Sequence, residues 1–331
     1  MFLKNYWYAA ALPDELGDKP LARTICGEPI VLFRTASGAV AALADRCAHR
    51  AAPLSLGTVR GESIECGYHG LCFDRDGVCK RIPGQESPSG GPTVRAYPLV
   101  QRWNWLWIWL GEPGHANPDE IPAFTWFDDA RWTAFQLHFE VKANWQLFSD
   151  NLLDLSHVSF THARSIGSPE VSEIPLKTWV DGDRVFNRRT MHDVTPGPFV
   201  AQWGNFPGRI DRISSTEWSP PANLAIEARF ADATNEIVVM VVNPITPESE
   251  TSTHLWMGWA RNFRLDDTEF TANARRENEQ VLREDIVVIE GQQQRLAAMP
   301  DFRPYSIKAD AGLVQARRII TRLLQSESNA A

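Results

Sequence analysis

Two short clusters near the start of the chain each combine a cysteine with a histidine. Cys47 and His49 form the first cluster, and Cys66 and His69 form the second after sixteen intervening residues. Two thiolates and two imidazoles can bind a structural zinc ion, which is the first alternative. Zinc fingers, however, typically pair cysteine with cysteine and histidine with histidine. Because each cluster here supplies one of each, two loops meeting at their tips would present two thiolates to one iron and two imidazoles to a second. The order of the residues therefore favours a two-iron, two-sulfur cluster with mixed ligands.

A second group of metal-binding residue types lies in the segment DNLLDLSHVSFTHA. His157 and His162 are five residues apart, and oxygen chemistry at non-haem iron(II) commonly uses two histidines and one carboxylate. We predict a helix over residues 144–158. Five residues on a straight helix separate two side chains by about 140°, so we expect the helix to end or bulge near residues 158–160. Asp154 precedes His157 by three residues and could bond the nitrogen of that histidine that does not face the metal.

The third ligand is expected in the segment LREDIVVIEGQQQ near the end of the chain. Projection of this segment as a helix, at about 100° per residue, places Asp285 on an apolar face, Glu284 at its edge and Glu290 away from it. The apolar residues of that face are Val281, Leu282, Val288 and Ile289. Burying a lone carboxylate is costly, and a metal ion offsets the cost. Asp285 is therefore the predicted ligand, and Glu284 is the alternative.

The first third of the chain has the pattern of antiparallel β structure. Residues 27–100 alternate short apolar runs with turn residues. Residues 103–110, WNWLWIWL, place tryptophan at alternate positions, which predicts a strand covered on both faces with its tryptophans in the core. Residues 111–130 are rich in proline, glycine and acid and predict a domain boundary.

The second half combines long strands and helices, which predicts an α+β domain. Acidic and threonine residues at 266–269 predict the start of a long helix toward Gln294, and VQARRIITRLLQ predicts a second helix. We therefore expect an all-β domain over residues 1–125 and an α+β catalytic domain over residues 126–331, with a large antiparallel sheet flanked by helices (helix-grip type). The predicted strands of this sheet include RVFNRRTMHDV, NLAIEARFAD, EIVVMVVNPITP and THLWMGWARNF.

Composition excludes several classes of protein. The chain of 331 residues has 44% hydrophobic and 22% charged residues and lacks an apolar run of the roughly 18 residues that a membrane helix needs. A formal net charge of −8 without a basic run argues against nucleic acid. The five cysteines all lie between Cys26 and Cys79, which favours metal binding or free thiols over disulfides. The N-terminus has no pattern of a secretory signal, so we expect a cytoplasmic protein.

These motifs resemble those of the Rieske non-haem iron aromatic oxygenases. Cys47-x-His49 and the string Cys66-x-Tyr-His-Gly match the cluster-binding domain, and Asn151, Asp154, His157 and His162 match the signature of the catalytic domain. The resemblance is closest to the oxygenase component of vanillate O-demethylase and its relatives. It weakens over residues 165–240, where substrate choice would be made. The matching strings are NYWYAAALPDEL, RAAPLSLG, CGYHGL, IPGQ, DNLLDLSHVSFTHA, ITPESETS, ARNFR and DAGLVQARRIITRLL.

The resemblance implies roles for these residues. Asn151 and Asp154 would be catalytic, and Asp154 would connect His157 of one subunit to His69 of the adjacent subunit in a homotrimer. The family's third iron ligand falls at the Glu284-Asp285 string. Other residues receive no metal-binding role. Cys26, Cys72 and Cys79 are interpreted as small buried or incidental thiols, and Asp150 as a solvated acid. The remaining histidines are interpreted as solvent-exposed or hydrogen-bonded structural residues, the last two also as pocket candidates: His115, His138, His192 and His254.

The implied function is that of a terminal oxygenase with a Rieske [2Fe-2S] cluster and mononuclear Fe(II). A separate reductase of the flavin or ferredoxin type would supply electrons derived from NAD(P)H, since the chain has no dinucleotide-binding glycine motif. Hydroxylation of the methyl carbon of an aryl methyl ether such as vanillate would give a phenol and formaldehyde. For a benzoate substrate, Arg188, Arg189 and His254 are candidates to bind the carboxylate. The alternatives are hydroxylation of a ring or methyl group and N-demethylation. An electron carrier or a non-catalytic binding protein is disfavoured because the second ligand set is complete.

Overall fold

A computed structural model describes residues 1–86 and 90–330 of the chain. These residues divide into two compact units. The first contains Met1–Ala123 and Thr246–Ser249, and the second contains Phe124–Ile245 and Glu250–Ala331. The functional division into a Rieske domain over residues 1–125 and a catalytic domain over residues 126–331 stays a proposal.

The first unit is built from short antiparallel strands, as the alternation of apolar runs and turn residues predicts. Its strands are β1 (Trp7–Ala11), β2 (Leu21–Ile25), β3 (Glu28–Arg34), β4 (Val40–Ala44), β5 (Thr58–Arg60), β6 (Ser63–Glu65), β7 (Cys72–Asp74), β8 (Cys79–Arg81), β9 (Ala96–Tyr97), β10 (Leu99–Arg102) and β11 (Trp105–Trp109). They form three sheets with the orders β1-β11-β10, β2-β3-β4-β9 and β5-β6-β7-β8. Every residue of β11 is buried, which confirms that Trp105, Trp107 and Trp109 belong to the core. Trp103, predicted in the same strand, lies instead in the preceding turn and is half-buried.

The described residues of the second unit contain a large antiparallel sheet and helices. The strands are β12 (Thr133–Val141), β13 (Lys177–Asp181), β14 (Arg184–Val194), β15 (Ile210–Ser219), β16 (Asn223–Ala231), β17 (Glu236–Pro247) and β18 (Thr253–Arg261). Their order is β12-β18-β17-β16-β15-β14-β13, so each of β13 to β18 pairs with its neighbour along the chain. The helices are α1 (Trp145–Leu153), α2 (Pro198–Gly204), α3 (Thr268–Ala298) and α4 (Ala311–Ala330).

Helix α3 presents one acidic residue on its buried face. The Asp267 side chain accepts a hydrogen bond from the Phe270 amide at 2.8 Å and caps the helix start, as the sequence predicts. The helix then continues to Ala298, four residues beyond the predicted end. Asp285 is buried together with Val281, Leu282 and Ile289. Val288, predicted on the same face, is 53% exposed, so that part of the projection was wrong.

Helix α1 is shorter than the predicted span of residues 144–158. It ends at Leu153 because Asp154 has an extended backbone and its carboxylate accepts a hydrogen bond from the Ser156 amide at 2.8 Å. A short 3-10 helix, Leu155–Ser159, follows. The chain therefore departs from α-helical geometry at Asp154, earlier than the predicted residues 158–160.

Asp150, on α1, was interpreted as a solvated acid, and that interpretation was wrong. Its carboxylate accepts a hydrogen bond from Arg317 Nε of α4 at 3.1 Å, and only 18% of its side chain is exposed. Helix α4 covers this face of α1 and supplies the compensating charge. None of the described helices combines the length and apolar character that are needed to cross a membrane.

Candidate metal centres

The two loops that carry the cysteine–histidine clusters have the same backbone geometry. The amide four residues after each cysteine donates to the carbonyl of that cysteine, from Ala51 to Cys47 at 2.9 Å and from Gly70 to Cys66 at 3.0 Å. Ala51 and Gly70 both have left-handed backbones, with φ of 55° and 72°. A left-handed alanine is unfavourable by about 1 kcal/mol, so the loop must be held by other interactions. The two turns therefore hold Cys47 and Cys66 in equivalent backbone positions.

The cysteines and the histidines of the two loops differ in their exposure to solvent. Cys47 and Cys66 are 3% and 2% exposed and are free thiols. Burial raises the pKa of the Cys47 thiol, and the neighbouring Cys66 thiol adds to the shift. His49 and His69 are exposed, and the centroids of their rings are 4.6 Å apart. Paired thiols inside and paired imidazoles outside are the donor set of a Rieske cluster, so these residues fit that group.

The second centre brings together the three predicted iron ligands. One donor atom from each of His157, His162 and Asp285 lies within 4.8 Å of the other two. Asp285 Oδ1 is 3.1 Å from His162 Nε2 and 3.5 Å from His157 Nε2. Asp285 is 3% exposed and His162 is 1% exposed. Two neutral imidazoles and one buried carboxylate are the donor set that ferrous iron takes in oxygen-activating sites, so the residues fit that metal.

The turn that carries His162 requires a glycine five residues later. The amides of Ser165 and Gly167 both donate to His162 O, at 3.0 and 2.9 Å. A Cβ atom on Gly167 would lie 2.2 Å from Val158 O and 2.8 Å from His162 O. The backbone can therefore fold back under the two histidines only because this residue has no side chain.

The outer nitrogen of each histidine has a hydrogen-bond partner. His157 Nδ1 lies 2.6 Å from the backbone oxygen of Asp154, and His162 Nδ1 lies 2.7 Å from Glu284 Oε2. These contacts place the ring protons on Nδ1 and direct both Nε2 atoms toward Asp285. The partner of His157 is thus the carbonyl of Asp154, whereas the sequence predicted its carboxylate.

Glu284, the alternative ligand, has a different place in the structure. Its carboxylate also accepts a hydrogen bond from Ser165 Oγ at 2.9 Å. Burial alone would lower the pKa of His162, but the bonds and charges of Asp285 and Glu284 outweigh it and raise that pKa. Asp285 is oriented in turn by Asn151, whose Nδ2 donates to Oδ1 at 3.2 Å. A supporting role for Glu284 was missed because it depends on where the His162 turn lies.

A cavity opens beside the second centre. The centre of a water molecule can occupy about 100 Å3 of it, and His157, His162 and Asp285 form part of its wall. Most of the remaining wall is apolar, including Leu152, Leu155, Val200, Trp203, Ile226, Phe230, Val239, Met257 and Trp259. A buried arginine, Arg212, also lines it.

The residues predicted from the sequence to bind a carboxylate lie elsewhere. Arg188, Arg189 and His254 are absent from the wall of this cavity, and so is His192, which the sequence suggested only as a pocket residue. Arg189 is buried and donates to the Ile174 carbonyl at 2.8 Å, and His254 lies 3.3 Å from His138. A signal for Arg212 was present in β15, where alternate residues read Ile, Arg, Ser, Thr and Trp. An alternating face that begins with Ile210 and ends with Trp218 is typical of a covered strand face.

Comparison with known proteins adds two family matches. Residues 6–98 match the Rieske [2Fe-2S] domain, and residues 141–326 match the vanillate O-demethylase oxygenase C-terminal domain. A vanillate O-demethylase oxygenase subunit from Pseudomonas sp. strain HR199 is 40% identical, and the match covers 100% of this chain and 97% of that protein. A toluene-4-sulfonate monooxygenase system iron-sulfur subunit from Comamonas testosteroni is 36% identical over 99% of each chain.

The fold is also similar to a solved structure. The crystal structure of dicamba monooxygenase bound to 3,6-dichlorosalicylic acid superposes with a TM-score of 0.95. It is 33% identical to this chain, and the match covers 99% of both chains. The oxygenase component of dicamba O-demethylase from Stenotrophomonas maltophilia is also 33% identical over 99% of each chain.

Proposed function

Because the chain belongs to the Rieske non-haem iron oxygenases, in the group with the vanillate O-demethylase oxygenase C-terminal domain, we propose that it O-demethylates a methoxylated aromatic acid such as vanillate, with release of formaldehyde. The chain is the oxygenase component of such a system, with a Rieske cluster and a mononuclear iron as cofactors. The observation that carries the proposal is the meeting of His157, His162 and Asp285 at the wall of an apolar cavity.

We assign the metal ligands as follows. Cys47, Cys66, His49 and His69 would hold the Rieske cluster, with two thiolates and two imidazoles as its ligands. This assignment is supported by the burial of both thiols and by the 4.6 Å separation of the two imidazole rings. His157, His162 and Asp285 would hold the mononuclear iron, and Glu284, which is bonded to His162, would lie outside the ligand set.

The residues of the chain prepare the site for the reaction. When bound, the iron activates dioxygen with electrons relayed by the Rieske cluster. His157 and His162 keep their protons on Nδ1, so that Nε2 is free to bind metal. The apolar wall holds the substrate ring and excludes water, which limits unproductive reduction of oxygen.

The overall reaction balances with two electrons and two protons. One oxygen atom of dioxygen enters a C–H bond of the substrate methyl group, and the other leaves as water. The hydroxylated methyl ether is a hemiacetal, which collapses to a phenol and formaldehyde. Positioning of the methyl group beside the metal ligands is therefore the main contribution of the protein.

We further propose that Asp154 and Asn151 act at this site. Asn151 orients Asp285 through its hydrogen bond, as described above. Asp154 uses Oδ1 to cap Ser156, and Oδ2 has no hydrogen bond in the described part of the chain. That oxygen is available to receive His69 of an adjacent subunit, which would link the two centres in a homotrimer.

The electron donor is proposed to be a separate reductase of the flavin or ferredoxin type, in the cytoplasm. The system needs such a partner because the curated relatives are components of multicomponent oxygenases.

The test is a coupled measurement of oxygen consumption and formaldehyde release. The anaerobically iron-loaded protein is supplied with a reductase and a panel of methoxybenzoates, with Asp285→Ala as the control. We expect the wild-type protein to release one molecule of formaldehyde for each molecule of oxygen consumed. The Asp285→Ala variant should release none. Substrate-dependent oxygen uptake without formaldehyde would contradict demethylation.

That last outcome would favour the second candidate, hydroxylation of a methyl group or ring. The observation behind this candidate is the relative that acts in a toluene-4-sulfonate monooxygenase system. The same panel should therefore include toluene-4-sulfonate, which has a methyl group and no methyl ether. Oxygen uptake with this compound alone would assign the chain to the second reaction.

A further inference from the structure

A buried guanidinium faces the cavity without an acidic partner. Arg212, on β15, is 6% exposed and lines the cavity beside the candidate iron ligands. Its Nε donates to Ser214 Oγ and its Nη1 to Ile166 O, both at 3.2 Å. In the described part of the chain these are its only hydrogen bonds, and no carboxylate lies within ion-pair distance. Nη2 therefore remains available for a ligand.

The guanidinium carries its charge at neutral pH. Burial, with a contribution from the neighbouring Arg189, lowers the pKa of Arg212 to about 10. The ring of Phe230, whose centroid is 5.3 Å from Arg212 Cζ, gives only weak compensation. A buried cation without a counterion is unfavourable, and a cationic neighbour makes it more so. An anion in the cavity would supply the missing charge.

A second polar group in the same wall also lacks a partner. Asn243 is fully buried and lines the cavity, and its Nδ2 donates to Trp256 O at 3.3 Å. No described group donates to its Oδ1. Buried acceptors are normally satisfied, so this oxygen is a second unfilled polar position in the wall. The two unfilled polar positions stand in an otherwise largely apolar wall, which is typical of a small-molecule site.

We infer that Arg212 is a specificity-determining residue that binds the negative group, a carboxylate or a sulfonate, of an aromatic substrate. The aromatic part of the ligand is suggested by Phe230, Trp203 and Trp259 in the same wall. This inference rests on the proposed function, because it treats the cavity as the place where the substrate is oxidised. It replaces the arginines and histidine that sequence reasoning proposed for the carboxylate.

The test compares charged and neutral ligands of the same size. Calorimetry on the anaerobic holoenzyme gives Kd for 3-methoxybenzoate, 3-methoxybenzenesulfonate and neutral 3-methoxybenzyl alcohol. We expect at least one anion to bind about 10- to 100-fold more tightly than the alcohol, as charge-assisted hydrogen bonds do. The anion that binds more tightly shows whether the site prefers a carboxylate or a sulfonate. The measured quantity is the ratio of the Kd of the alcohol to the Kd of each anion. A ratio near one for both anions in the wild-type protein would overturn the inference, and this result needs no variant.

Variants then assign the preference to Arg212. Arg212→Met should reduce the ratio to near one, and Arg212→Lys should restore part of it. The matched control is Arg229→Met on the neighbouring β16, since Arg229 is paired with Glu236 at 2.8 Å and precedes the cavity residue Phe230, so it points to the opposite face of the sheet. It removes the same charge and should leave the ratio unchanged. A full preference in Arg212→Met, or an equal loss in the control, would overturn the assignment.

The outcome is separable from that of the proposed function. A preference for anions that depends on Arg212, found without formaldehyde release, would support the anion site and contradict demethylation. Formaldehyde release together with a ratio near one would support demethylation and overturn the anion site.

Discussion

Replacing Glu284 with alanine is expected to weaken iron binding without removing a ligand. The Glu284 carboxylate accepts a hydrogen bond from His162 Nδ1 at 2.7 Å and a second from Ser165 Oγ at 2.9 Å. Its side chain is only 22% exposed, so water screens the contact weakly. Loss of such a partner allows the imidazole to rotate and makes Nε2 a weaker donor.

The expected magnitude follows from the kind of contact. Removal of a carboxylate that orients a metal-binding histidine lowers metal affinity by about 10- to 100-fold. This range corresponds to about 1.4 to 2.7 kcal/mol of binding free energy. Glu284→Gln keeps a hydrogen-bond acceptor for His162 but loses the charge. This variant should therefore lower the iron affinity by about 10-fold or less. Asp285→Ala removes a ligand and should abolish iron binding.

The assay is an anaerobic titration of iron-depleted protein with ferrous iron in competition with a chromogenic chelator. The visible absorbance of the Rieske cluster reports whether each variant is folded. The matched control is Glu279→Ala on the same helix, since the Glu279 side chain is 41% exposed and its one ion pair among the described residues is with Arg283, at 2.7 Å. Such a surface pair contributes at most about 0.5 kcal/mol, and the control should bind iron as the wild type does.

Two results would refute this reasoning. Unchanged iron affinity in Glu284→Ala would show that the bond to His162 does not orient the ring. A loss as complete as that of Asp285→Ala would show that Glu284 is itself a ligand, which is the alternative that the sequence left open.

Three further predictions concern the scaffold. Gly167→Ala should destabilise the protein by about 1 to 3 kcal/mol and weaken iron binding, because its Cβ would lie 2.2 Å from a backbone oxygen; an unchanged melting temperature would contradict this. Gly291→Ala, inside α3 with open space around its Cβ, should instead stabilise the protein by up to about 1 kcal/mol, and a lower melting temperature would count against it. Burial would raise the pKa of Glu28, but bonds from Lys4 and Tyr97 outweigh it and lower that pKa below 4.5. A lowered folded-state pKa gives stability above the unfolded value that is lost as pH falls through the folded one. The melting temperature of Glu28→Gln should therefore lie below that of the wild type at pH 7, and the gap should narrow below about pH 4.5; a gap independent of pH would exclude this account.

Features that depend on neighbouring residues were predictable from the sequence. The strand limits Arg184–Val194 and Glu236–Pro247 coincide with the predicted segments because alternation of side chains is a local property of the chain. Placement of Asp285 on the buried face of α3 succeeded for the same reason, since a helix repeats every 3.6 residues. The early end of α1 was missed because the capping bond of Asp154 competes with the helix, and apolar spacing does not reveal such a bond.

The sequence by itself determined the donor types at both centres and the helix that carries Asp285, because residue type and short-range periodicity are properties of neighbouring positions. Only the tertiary structure decided which groups surround those donors. Glu284 meets His162 across 122 residues, and Arg317 meets Asp150 across 167. Arg212 faces the cavity because the buried face of β15 lies there. Contacts of this range depend on how the sheet and helices pack together, and packing is a property of the whole chain.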